Sequence, residues 1–167
     1  MSGPALNFDP QLLLAAQGIH IAFFDVDGVL TDGSIYLTDA GETIKRFHTL
    51  DGHGIKLLQR TGIVPAVVTS RDCAPLRLRL KAPGVTHARF GTEDKRPAAE
   101  AILAGLGLDW SQAAAFAAAP PHAQAEVLAA ARYVTQAHGG QGAAREFCDL
   151  LLVARGHYAR LLEEARG

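Results

Sequence analysis

Asp25 and Asp27 stand two residues apart in IAFFDVDGVLTDG, residues 21–33, and that spacing is the clearest chemical signal in the chain. Near the end of a strand, residues two apart face the same side, so both carboxylates can point into one cleft. Held that close they repel, which calls for a cation between them or a proton on one. Phosphoryl transfer uses such a pair: one Asp attacks phosphorus and the other handles the leaving group's proton. Asp-Gly pairs also serve as plain turns whose carboxylates bond their own backbone. The apolar run before Asp25 and the Val29-Leu30-Thr31-Asp32-Gly33 that follows favour the catalytic use. A phosphate monoester dianion repels a carboxylate nucleophile, so the site must also supply positive charge. Lys95 is well placed for this, in a Gly91-Thr92-Glu93-Asp94-Lys95 run between a predicted strand and a predicted helix. Thr69 ends another predicted strand, where its hydroxyl and the next N–H can reach a phosphoryl oxygen.

These residues need a scaffold, and the pattern supplies one. Asp9-Pro10 followed by Gln11 to Gln17 and Gly18 reads as a short capped helix. Ile19 to Phe24 reads as a buried strand, and Gly28 gives the sharp exit after it. Thr31 to Thr49 alternates around Asp39-Ala40-Gly41 as a β-hairpin. Ile55 to Arg60 is a predicted helix, Val64 to Thr69 a strand, Ala74 to Lys81 a helix and Val85 to Phe90 a strand. Pro97 to Leu106 is a helix stopped by Gly107, and Gly142 to Arg166 carries an apolar helix face that Gly156 interrupts. That face suits either core packing or a partner subunit. Strands alternating with helices predict an α/β fold, a three-layer Rossmann-like parallel sheet with a small β-hairpin flap.

Composition narrows the function classes. The 167 residues suffice for one domain, expected over residues 1–167. Hydrophobic content of 49% with 20% charged residues is ordinary for a globular protein, and a net charge of −1 offers no case for nucleic acid or an anionic membrane. Cys73 and Cys148 lie far apart, which suits a reduced, cytoplasmic setting. No apolar run reaches membrane-spanning length, and the start lacks the basic residues of a signal peptide. The histidines show no metal-ligand spacing, so zinc is not expected.

The DVDGVLTDG string resembles the first motif of the haloacid dehalogenase superfamily, and in its full length that superfamily's small-sugar-phosphate branch, the 3-deoxy-D-manno-octulosonate 8-phosphate phosphatases. The likeness continues through Gly41-Glu42, Phe47, Asp51-Gly52-His53-Gly54-Ile55, Val68-Thr69-Ser70-Arg71, Lys95, Tyr133-Val134-Thr135 and Gly139 to Leu152. The resemblance implies a phosphatase of lipopolysaccharide sugar biosynthesis in which Asp25 forms an aspartyl phosphate and Asp27 is acid and base. Lys95 and Thr69 would balance charge, and Mg²⁺ would take an Asp25 oxygen and the backbone carbonyl of Asp27. Asp32, Gly33, Ser70 and Arg71 would line the pocket for a small phosphorylated sugar acid, Arg71 suiting its carboxylate. Asp51-Gly52-His53-Gly54 would close nearby, although His53 equally suits an exposed turn. Relatives of this branch form tetramers whose subunits complete one another's sites, so a homotetramer is expected; Gln141 stands where an Arg is common, and Arg145 is retained.

One piece of the pattern is not where it is expected. The superfamily's fourth motif, an apolar strand ending in a pair of acids that complete the magnesium site, should precede Pro120. Here the chain reads LDWSQAAAFAAAPPH over residues 108–122, in which Asp109 falls before the apolar run. Ala115 to Pro120 reads as the strand after the motif, and the fourth-motif region as shortened. Either the last metal ligand comes from elsewhere, with Asp72, Glu93 and Asp94 as candidates, or the chain is an impaired or inactive member serving assembly or binding. A phosphatase for a nine-carbon sugar acid is the alternative substrate reading.

Overall fold

The computed structural model describes residues 6–116, 120–121 and 123–165. Helix α1 (Pro10–Ala16) begins at Asp9, whose carboxylate accepts the Gln11 and Leu12 N–H groups, and leads into strand β1 (Ile21–Phe24). A hairpin of β2 (Tyr36–Thr38) and β3 (Gly41–Ile44) follows, then α2 (Thr49–Arg60), β4 (Val64–Val68), α3 (Ala74–Lys81), β5 (His87–Arg89) and α4 (Lys95–Leu106). After a single 3₁₀ turn come β6 (Ala113–Phe116), α5 (Ala125–Ala130), α6 (Ala143–Ala154) and α7 (Tyr158–Glu164). The expected order is present. The hairpin strands are shorter than the alternation from Thr31 to Thr49 implies, α2 starts six residues before Ile55, and Gly156 does separate two helices.

The main sheet is parallel, in the order β5-β4-β1-β6. All four β1 residues are buried because both faces are covered, which explains their unbroken apolar run. Ala22 and Phe24 face α1, α2, α3 and α6, while Ile21 and Phe23 face Ala99, Ile102 and Leu103 of α4. The Ala-rich segment takes the place beside β1, with Phe23 opposite Ala115 and Phe24 opposite Phe116. Alanine has weak strand propensity, so the register rests on Phe116. That ring is buried and stacks on Phe147 of α6 at 4.9 Å, while Phe147 meets Phe24 edge-on at 5.7 Å. Ala117 to Ala119 of the expected strand, His122 and Arg166 lie outside the described residues. The C-terminal apolar face is core: Phe147, Leu150, Leu151 and Leu161 are buried within this chain.

Asp51-Gly52-His53-Gly54 forms the early turns of α2. The glycines let neighbours come close. A Cβ at Gly52 would lie 2.4 Å from the Arg79 guanidinium, and one at Gly54 would lie 3.1 Å from Cys148. Asp51 reaches across to α6, where its Oδ1 accepts the Arg145 N–H at 2.9 Å and so caps that helix. Arg145 in turn bonds Asp149 at 2.8 Å and His53 at 2.8 Å, so it ties α2 to α6. The strap before α6 lies directly on the loop after β1. A Cβ at Gly139 would sit 1.9 Å from the Gly28 carbonyl oxygen, and Gly140, at φ +66°, donates its N–H to Val29 O.

This packing sets the sign of three substitutions. Gly139→Ala forces backbone against backbone and is expected to cost about 3 kcal/mol or more. Gly105→Ala, in open space on α4, is expected to gain about 0.5–1 kcal/mol; urea denaturation of both variants checks the opposite signs. Burial raises the Asp51 carboxyl above its ordinary 3.8, more than the Arg145 N–H lowers it. Stability from this group is therefore complete below that value and is lost as pH rises through the folded one. Relative to Asp51→Asn, the wild-type urea midpoint should fall as pH is raised above 3.8. A difference that does not change with pH would contradict the account.

Candidate active site

The parallel register brings the candidate residues to one edge of the sheet. Phe24 pairs with Val67, so Asp25 and Thr69 leave neighbouring strands side by side at their C-terminal ends. This is where α/β sheets place their ligands. Lys95 begins α4, with Asp94 capping that helix through the Arg96 N–H, and reaches back 2.6 Å to Asp25 Oδ2. The other Asp25 oxygen accepts the Val26 N–H at 2.7 Å.

Asp27 is bracketed by two cations. Lys45 Nζ lies 2.6 Å from its Oδ1, and Arg71 Nε lies 3.5 Å from its Oδ2. The Lys45 side chain is only 1% exposed, while Asp27 keeps 29% exposure toward the cleft. Charges alternate along the rest of the loop. Asp32 accepts the Ser34 N–H and meets Arg46 at 3.3 Å; the Ser34 N–H, with help from Arg46, holds the Asp32 carboxyl below the ordinary range.

Thr31 pins the loop shape. Its buried hydroxyl accepts the Gly28 and Gly33 N–H groups and donates to Val26 O. Gly28, at φ +76°, makes the turn that lets Asp27 follow Asp25 into the cleft. Thr69 is fully buried, its hydroxyl accepting the Arg71 N–H at 3.2 Å, and Ser70 and Arg71 are exposed at the rim. The structure thus gathers Asp25, Asp27, Thr69, Lys95 and Arg71 at one edge, with Asp32 and Gly33 on the adjoining loop.

Lys45 and Thr31 are the residues that sequence reasoning missed. Thr31 lies inside the motif and could have been read as a turn hydroxyl. Lys45 carries no local signal, since only the hairpin's fold brings it back 18 positions to Asp27.

Among the described residues the donor set for a divalent cation is short. A 240 Å³ cavity beside Asp25 is walled by Phe23, Val68, Ala99, Trp110 and Ala115, with Lys95 and Arg96 as its other polar side chains. No Asp or Glu occurs between Asp109 and Glu126. Asp72 is engaged by Arg77 at 2.6 Å, and Asp94 is occupied as a helix cap. No group of three His, Cys, Asp or Glu side chains suited to a metal occurs among the described residues. At this edge Asp25 offers a carboxylate beside Lys95, and an ion such as Mg²⁺, which keeps several waters and shares substrate phosphates, needs few protein donors. No helix among the described residues is long and apolar enough to cross a membrane.

No family model matches the chain. Its similarity to individual proteins is nevertheless extensive. The 3-deoxy-D-manno-octulosonate 8-phosphate phosphatase of Salmonella typhimurium is 34% identical over 173 residues, spanning 95% of this chain and 90% of that protein. Among solved structures, a probable YrbI family phosphatase from Pseudomonas syringae superposes with a TM-score of 0.92 at 36% identity, covering 95% of this chain and 99% of the other. The Moraxella catarrhalis 3-deoxy-D-manno-octulosonate 8-phosphate phosphatase, solved with a magnesium ion, a phosphate ion and a KDO molecule, gives a TM-score of 0.88 at 30% identity over 92% of this chain and 97% of that one. With an aspartate-and-lysine pair at the sheet edge and likeness along nearly its whole length, the chain belongs to the 3-deoxy-D-manno-octulosonate 8-phosphate phosphatase family of the haloacid dehalogenase superfamily.

Proposed function

We propose that this protein hydrolyses 3-deoxy-D-manno-octulosonate 8-phosphate, in the synthesis of lipopolysaccharide sugar, through an aspartyl phosphate on Asp25. The observation that carries the reading is the 2.6 Å pair of Lys95 with Asp25, beside an Asp27 held by two cations. Lys95 offsets the repulsion between the carboxylate and the incoming dianion. Asp25 attacks phosphorus, and Asp27 gives a proton to the departing sugar oxygen as the P–O bond breaks. Asp27 then takes a proton from the water that cleaves the aspartyl phosphate. Thr69 and its following N–H line the phosphoryl side, and Arg71, 43% exposed at the rim, suits the sugar-acid carboxylate. Magnesium, held by the Asp25 carboxylate and the Asp27 carbonyl, would supply electrostatic stabilisation of the phosphoryl charge.

The hydrocarbon wall beside Asp25 favours a second reading, a family member with impaired catalysis. Loss of even an outer partner of a metal site costs about 10–100-fold in affinity or activity, and loss of a direct acid should cost at least as much. A homotetramer is part of the proposal. Its support is the exposed apolar set on and beside the hairpin, with Leu37 at 74%, Ile44 at 57% and Ile35 and Tyr36 also open.

Phosphate release from the octulosonate ester should rise with Mg²⁺ without saturating at low concentration, and Asp25→Asn should abolish it. Release no greater than that of Asp25→Asn at any Mg²⁺ concentration would leave the binding-domain reading. In sedimentation velocity, Leu37→Glu should shift a tetramer to smaller species with unchanged circular dichroism. A monomeric wild type would overturn the assembly.

A further inference from the structure

Two consecutive basic residues follow β3 and grip the two ends of the loop after β1. Lys45 takes Asp27 Oδ1 at 2.6 Å, and Arg46 takes Asp32 Oδ2 at 3.3 Å. Their settings differ sharply. The Arg46 side chain is 53% exposed, an ordinary surface ion pair that salt would screen. The Lys45 side chain is 1% exposed, and an ammonium is among the groups most costly to take out of water. The Lys45 ammonium meets the acid that faces the cleft, and the bond fixes which Asp27 oxygen remains on the Arg71 side.

We propose that Lys45 is a positioning residue for the proton-transfer step: it clamps Asp27 by Oδ1 so that Oδ2 is presented to the leaving-group oxygen, and it makes the β2–β3 hairpin part of the catalytic unit. Lys45 touches neither phosphorus nor sugar in this scheme. It acts through Asp27, so its removal leaves the Lys95–Asp25 pair and the phosphoryl side in place. The inference rests on the phosphatase reading and deepens it.

The consequence is a dependence on the leaving group. Expelling a sugar alkoxide requires a proton from Asp27, whereas p-nitrophenolate departs as the anion without one. Lys45→Met keeps the length and hydrocarbon of the side chain and leaves Asp27 with its cleft exposure. With the octulosonate ester, Lys45→Met should lower kcat/KM, which reports formation of the aspartyl phosphate and not its later hydrolysis, on the order of 100-fold, the usual scale of a general-acid contribution. With p-nitrophenyl phosphate the loss of kcat/KM should be less than about 10-fold, and Lys45→Arg should restore part of kcat/KM toward the sugar ester. A loss of kcat/KM of the same size for both esters means that Lys45 serves only to hold the fold, and the inference falls while the phosphatase reading stands. Unchanged kcat/KM for the sugar ester overturns it equally. If the wild-type chain hydrolyses neither ester, the phosphatase reading itself fails and takes this inference with it.

Discussion

Two carboxylates two residues apart at the end of a buried strand set the terms for the rest of this structure. Like charges brought to one cleft repel, so the pair is best tolerated when other elements bring cations to it. Each aspartate receives its own. Asp25 is met by Lys95 from the start of α4, and Asp27 by Lys45 from the end of the hairpin and Arg71 from the loop after β4. Three segments are therefore tied to one strand end by charge. On the proposed reading, the same arrangement prepares the loop for a phosphoryl dianion.

Holding the loop in that geometry is the work of the layer beneath it. Thr31 gathers the amides of Gly28 and Gly33, and the Gly139-Gly140 strap presses on Gly28 and Thr31 with no room for side chains. The strap leads into α6, whose first turn is capped by Asp51 from α2. Gly52 and Gly54 allow Arg79 and Cys148 to approach α2 closely. The chemistry at β1 thus depends on packing between helices whose own residues never reach the cleft.

Much of this was legible in residue order, for identifiable reasons. A strand covered on both faces must be apolar throughout, so Ile21 to Phe24 announces itself, and the two-residue spacing places both aspartates. Lys95 is readable because it sits at a strand-to-helix junction. Asp51 to Gly54 was not, because two glycines in four residues argue locally against a helix and only packing against α3 and α6 compensates for them. The alanines of β6 carry almost no strand signal; Phe116, wedged against Phe147, holds them beside β1. Lys45 is invisible from its neighbours, since its meaning comes from a hairpin that folds back across 18 residues.

The side of Asp25 lined by hydrocarbon sharpens what the strand-end pair must do. On the proposed reading, charge compensation falls to Lys95, Thr69 and the cations around Asp27, and covalent chemistry at Asp25 is the core of the account. Borohydride reduces an acyl phosphate to an alcohol, so quenching turnover of the octulosonate ester with it and mapping peptides by mass locates the nucleophile. The account predicts reduction at Asp25 alone, in the peptide that also carries Asp27. Reduction at another carboxylate, or none at all while phosphate release continues, would contradict it.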